Sequence, residues 1–182
     1  MKKREILHLT LAILLSPPII SRATPPSRSV RESCMLDQAN SPRIHLDRFS
    51  TDVLYEQENY ADGYDATYYF LYDDKEIGYA EKTQANALIY SGKIYRLDYA
   101  IPIPSSLSIA AEFSPALASW SKITETQQSY ICVSFNFDGL GHSGTFQNFR
   151  GAFLLEVNAS KPRLYYTEGD IRKITGAKRK SE

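Results

Sequence analysis

Apolar and polar residues alternate along much of this chain with the two-residue period of half-buried strands. Residues 43–48 (Arg-Ile-His-Leu-Asp-Arg) show the pattern first, and residues 51–56 offer a second short strand. Residues 66–72 form an aromatic, β-prone run, and a polar turn at 73–76 leads into 77–80. Residues 87–90 and 94–99 flank Ser91-Gly92, a tight-hairpin signal. Together these predict an antiparallel meander over 66–100, closed by Pro102 and Pro104. A helix over 76–90 would place Ala80, Ala87 and Leu88 near one face, but Gly78 and the tyrosines weigh against it. Residues 130–137 alternate without a break. Ile131, Val133, Phe135 and Phe137 fall on one side, and Cys132, Ser134 and Asn136 on the other, predicting a central strand with one face in the core. Phe153, Leu155 and Val157 mark another strand, 163–166 a further one and 171–174 a short last one.

The period changes once. Ile109, Phe113, Leu117, Trp120 and Ile123 stand three or four apart, the stripe of an amphipathic helix. Ser114-Pro115 supplies an N-cap and a first-turn proline, which places the helix at 115–123 with Trp120 in the core. The expected fold class is mainly β, an antiparallel sandwich or barrel-like meander with one amphipathic helix, with α+β as the alternative.

The ends read differently. Residues 1–23 carry Lys2, Lys3 and Arg4, then an apolar stretch at 6–15, then Pro17-Pro18 and small residues at Ser21 and Ala23. This is the layout of a signal peptide, and its apolar stretch is far below the roughly 20 residues needed to span a bilayer. The expected organisation is a signal peptide at 1–23, a flexible Pro- and Ser-rich leader at 24–33, a single β-rich domain at 34–175 and a basic tail at 176–182. The chain is then expected to be secreted or periplasmic, with no stable membrane insertion after cleavage. In that oxidising setting Cys34 and Cys132 are expected to form a disulfide.

Charge narrows the partners. The 21 basic and 21 acidic side chains leave no basic excess with which to neutralise phosphates, so nucleic acid is not expected. Removing Lys2, Lys3, Arg4 and Arg22 with only Glu5 leaves a mildly acidic remainder.

Candidate chemistry is sparse. Residues 139–144 match G-x-G-x-x-G, but no helical stripe follows, so they read as a glycine-rich hairpin loop instead of a dinucleotide site. Gly141-His142-Ser143-Gly144-Thr145 misses the nucleophile elbow because Thr145 stands where glycine is required and no histidine follows His142. His45 and His142 are the histidines outside the leader, so general-base chemistry has few carriers. Asp62, Asp65, Asp73, Asp74 and Asp138 fall in turns, where aspartate is favoured for backbone reasons, and Asp62 with Asp65 lacks the density of a calcium loop. Asn158-Ala159-Ser160 spells a glycosylation sequon and is read as coincidence. No catalytic set, metal or cofactor is expected.

Tyrosine is in excess, with 13 against 8 Phe and 1 Trp, and it concentrates between positions 55 and 99. Such rings pair across strands, or they grip a ligand with an apolar face and a hydroxyl. The candidate binding residues are Tyr68, Tyr72, Tyr79, Tyr95 and Tyr99, with His142 in the glycine-rich loop. The expected function is an exported, non-enzymatic binding domain recognising a protein or glycan through a Tyr-rich β surface. The alternatives are a periplasmic inhibitor or immunity protein acting through loop 138–144, and a small secreted hydrolase or toxin.

Overall fold

The computed structural model describes residues 24–50, 55–57, 63–83, 85–137 and 148–178. The expected signal peptide, residues 51–54 of the second expected strand and the glycine-rich loop with His142 lie outside them, as do residues 179–182 of the tail. The chain opens with helix α1 (Arg28–Leu36), then β1 (Ile44–Arg48) and β2 (Tyr55–Gln57). The meander follows as β3 (Ala66–Tyr72), β4 (Lys75–Glu81), β5 (Ala87–Tyr90) and β6 (Lys93–Arg96). A single 3₁₀ turn (Leu97–Tyr99) leads to β7 (Ile101–Pro102). The last part comprises β8 (Ser119–Glu125), β9 (Gln128–Asn136), β10 (Phe149–Glu156), β11 (Leu164–Asp170) and helix α2 (Ile171–Lys178).

These strands make two sheets and a mainly β fold. The larger sheet runs β1-β8-β9-β10-β11-β7, and the smaller runs β2-β3-β4-β5-β6. Every pairing is antiparallel except β7 with β11. Two hairpins of the meander turn on residue pairs with positive φ, Asp73-Asp74 and Ser91-Gly92, whose twist matches that of the flanking strands. The first turn is thus two residues long, shorter than the expected 73–76.

β9 organises the larger sheet. Trp120, Val133, Phe153 and Tyr166 form one cross-strand row, and Ser121, Cys132, Leu154 and Tyr165 form the next. The first row packs against the smaller sheet, in a core that also holds Phe70, Ile77, Tyr79 and Leu88. The second faces Val30, Cys34 and Met35 of α1. The larger sheet is therefore buried on both faces, where the alternation had predicted one.

The expected Cys34–Cys132 disulfide is present, with Cα atoms 5.7 Å apart, and it ties α1 to the middle of β9. The stretch read as an extended leader thus holds a helix from Arg28 onward. Ser27 caps it, its hydroxyl accepting from the Val30 amide at 3.1 Å, and Asp37 ends it in the left-handed conformation.

The helix expected at 115–123 is not there. Residues 115–117 form one turn, and Ser119 already pairs with Ser134 in the sheet. Trp120 and Ile123 point to opposite faces of β8, each into a different core. A strand buried on both faces places apolar residues three apart, and that imitates a helical stripe. The Trp120 indole donates to the Pro115 carbonyl at 3.0 Å, closing the turn. At the other end α2 replaces the short strand expected at 171–174 and carries helix into the expected tail. No helix among the described residues is long and apolar enough to cross a membrane.

Candidate functional site

The two-residue period of the meander sends Tyr68, Tyr79, Leu88 and Tyr95 inward as one row across β3, β4, β5 and β6. Tyr72 also packs against the inter-sheet core. Of the five candidate tyrosines, Tyr99 alone is exposed, at 72%, with the Arg96 guanidinium 4.4 Å from its ring centre. The five do not form one outward surface. They divide among three concavities.

Tyr68 and Tyr79 line a cleft of about 920 Å³ at one end of the sandwich. Tyr95 and Tyr99 line a groove of about 360 Å³ between the β6 edge and the β7 edge, with Ile94 and Ile101. Tyr72 borders a slot of about 20 Å³ with Lys122, whose ammonium lies 5.9 Å from the Tyr72 ring centre.

The large cleft exists because of a crossover. Between β7 and β8 the chain must pass from one edge of the larger sheet across β11, β10 and β9. Leu107, Ile109, Ala110 and Phe113 of this crossing segment pack against the inter-sheet core, and residues 112–116 line the cleft. Phe113 is the anchor. Its ring stacks on Phe135 at 4.7 Å and meets Tyr79 at 4.8 Å and Phe153 at 6.1 Å. Asn86, 5% exposed, fastens the opposite wall: its amide donates to the Ala111 carbonyl at 3.0 Å and its oxygen accepts from the Lys82 amide at 2.9 Å. One buried amide thus joins the β4–β5 turn to the crossover.

The rim is acidic. Asp65, Glu81 and Glu112 line the cleft, and Lys82 is the one cation among its lining residues. Among the described residues none of the three carboxylates belongs to an ion pair, whereas Asp37, Asp98 and Asp170 each do elsewhere. Glu56 adds a fourth negative group, its carboxylate accepting from the Tyr68 hydroxyl at 3.5 Å. Burial pushes the Tyr68 phenol above its ordinary value, and Glu56 and Glu81 push it further. The Tyr79 phenol, 2% exposed, is raised chiefly by burial, then by Glu81 and Glu112, against hydrogen bonds with the Phe113 backbone and Asn86.

Both phenols therefore stay protonated and neutral, as hydrogen-bonding groups beside the rim carboxylates. Neither histidine nor cysteine is among the described residues that line the cleft. Among the described residues no group of three His, Cys, Asp or Glu side chains is placed to hold a metal ion. His45 is exposed on β1 and pairs with Asp47 at 3.0 Å.

Asn86, Glu81, Glu112 and Phe113 escaped the sequence reading. Phe113 had been absorbed into the supposed helical stripe, and nothing in the local pattern marks Asn86. The one available signal was the length of chain between Pro104 and Ser114, longer than the usual connection in a compact domain. Searches against protein families, curated proteins and solved structures found no match.

Proposed function

We propose that this chain is an exported, non-enzymatic binding domain whose ligand, a protein or glycan, enters the cleft between the crossover and the start of β3. The observation that carries this reading is the cleft itself: about 920 Å³, with Tyr68, Tyr79 and Phe113 on its walls and hydrogen-bonding groups at its rim. Two of the five candidate tyrosines meet there. Export is supported by the Cys34–Cys132 disulfide, which persists in oxidising compartments, and by the signal-like pattern of residues 1–23. Binding is favoured over catalysis because the two phenols of the cleft, both raised chiefly by burial, stay protonated and supply no base near neutral pH.

A photo-crosslinking side chain at position 114, on the cleft wall, tests the reading in cells. Irradiation is expected to give a discrete adduct, absent when the same group replaces Asp74 in the β3–β4 turn. No adduct at 114, or equal adducts at both positions, overturns the assignment of the cleft. Release of residues 1–23 is read separately, by amino-terminal sequencing of the fractionated product, which is expected to begin at Thr24.

A further inference from the structure

The electrostatics of the cleft select among ligands. We infer that it receives a lysine or arginine side chain presented by an extended segment of a partner protein. This inference rests on the reading of the cleft as the ligand site. Among the described residues Asp65, Glu81 and Glu112 stand on the rim in no ion pair, and Glu56 lies beside Tyr68, against Lys82, the one cation lining the cleft. Low-dielectric walls concentrate such a field at the mouth, which draws in and orients a cation.

The rings agree with this choice and disfavour a sugar. A pyranose needs an open aromatic face. Tyr79 is only 2% exposed, and Phe113 has one face against Phe135, at an interplanar angle of 13°. The Tyr79 ring is thus closed to a sugar, and one face of Phe113 is already taken. A slender side chain asks for less: an apolar wall for its methylenes and carboxylates for its head. Arginine adds the option of packing its guanidinium on the accessible part of Tyr68. The scattered rim carboxylates also match an organic cation better than a metal ion, since no three of them converge.

Trp120 is a built-in reporter. It is the sole tryptophan, its indole donates to Pro115, which lines the cleft, and its ring lies 6.4 Å from Phe113. Titration of the disulfide-intact protein with a capped pentapeptide bearing lysine and arginine is expected to change Trp120 emission saturably. Calorimetry should give the same affinity. Raising salt from about 50 mM to about 300 mM should weaken it severalfold, as screening shortens the reach of the rim charges. Glu81→Gln and Glu112→Gln should each weaken binding by about tenfold, the scale of one charge-assisted contact. Asp74→Asn, in the distant β3–β4 turn, should leave it unchanged.

No saturable response to the basic peptide in either readout overturns the inference, and so does binding that ignores salt and both glutamine variants. Tighter binding of a glucosamine oligomer or a neutral cello-oligosaccharide moves the ligand to the glycan class, which also overturns it. The crosslink at position 114 separates the two levels. An adduct without cation dependence removes only the present inference, and absence of the adduct removes the site as well.

Discussion

Glu156 is the residue whose placement runs most against expectation. It ends β10 opposite Tyr130, on the face of the larger sheet that α1 covers, and is 5% exposed. One of its carboxylate oxygens is buried without a hydrogen-bond partner. Burial raises its pKa above the ordinary carboxyl value, and Arg163 only partly opposes that. The raised value fixes the sign of the pH effect. Stability from the neutral acid is complete below the unfolded-state carboxyl pKa and is lost as pH rises through the higher folded-state value. Glu156→Gln should therefore stabilise the protein at pH 7.5 by about 1 kcal/mol and flatten its stability between pH 4 and 7.5, read by urea unfolding. Lower stability of the variant at pH 7.5 would show that the ionised side chain is well partnered.

Gly78 makes a sharper demand. A Cβ there would come within 2.1 Å of the Tyr68 carbonyl and 2.7 Å of the Tyr69 Cβ, so β3 and β4 approach too closely for any side chain. Gly78→Ala should cost about 2–3 kcal/mol, because the obstacle is backbone that cannot swing aside. The same change should disturb the cleft through Tyr68, so Trp120 emission in the folded variant is a second readout. In the sequence Gly78 served only to argue against a helix; the close approach that requires it depends on which strand lies alongside.

At the scale of elements, local pattern was readable where one face or one turn decided the outcome. The run 66–72 is β3 residue for residue, and Ser91-Gly92 turns the β5–β6 hairpin as expected. Elements that depend on distant partners were not readable. β8 took a helical disguise because Trp120 and Ile123 serve two cores, and α1 looked like linker because Pro25-Pro26 and three serines surround its first turn. The apolar spacing of Val30 and Cys34, after a serine cap, was the missed signal. The disulfide makes α1 testable as a unit. It closes a separation of 98 residues, for which the loop-entropy estimate is about 4–5 kcal/mol. Replacing both cysteines by alanine should lower stability on that scale in urea titration. Hydrogen exchange should show α1 losing protection before the strands of the larger sheet.

For the molecule as a whole, composition and alternation implied two packed β layers, and the order of strands was beyond them. β1 pairs with β8, and β7 lies parallel to β11, across long stretches of chain that no local pattern connects. The candidate site was legible in part for the same reason. Tyr68 and Tyr79 stood out by type, but only the crossover that brings Glu112 and Phe113 beside them makes a cleft.

The position of the covalent tie also orders events during biosynthesis. Synthesis delivers α1 before any strand of the sheet on which it rests, and Cys132 follows Cys34 by 98 residues. For that whole interval the nascent helix offers Val30, Cys34 and Met35 to its surroundings, with its sulfur still a thiol. A polypeptide cut short before Cys132 would therefore lack the partner that this sulfur takes in the folded chain.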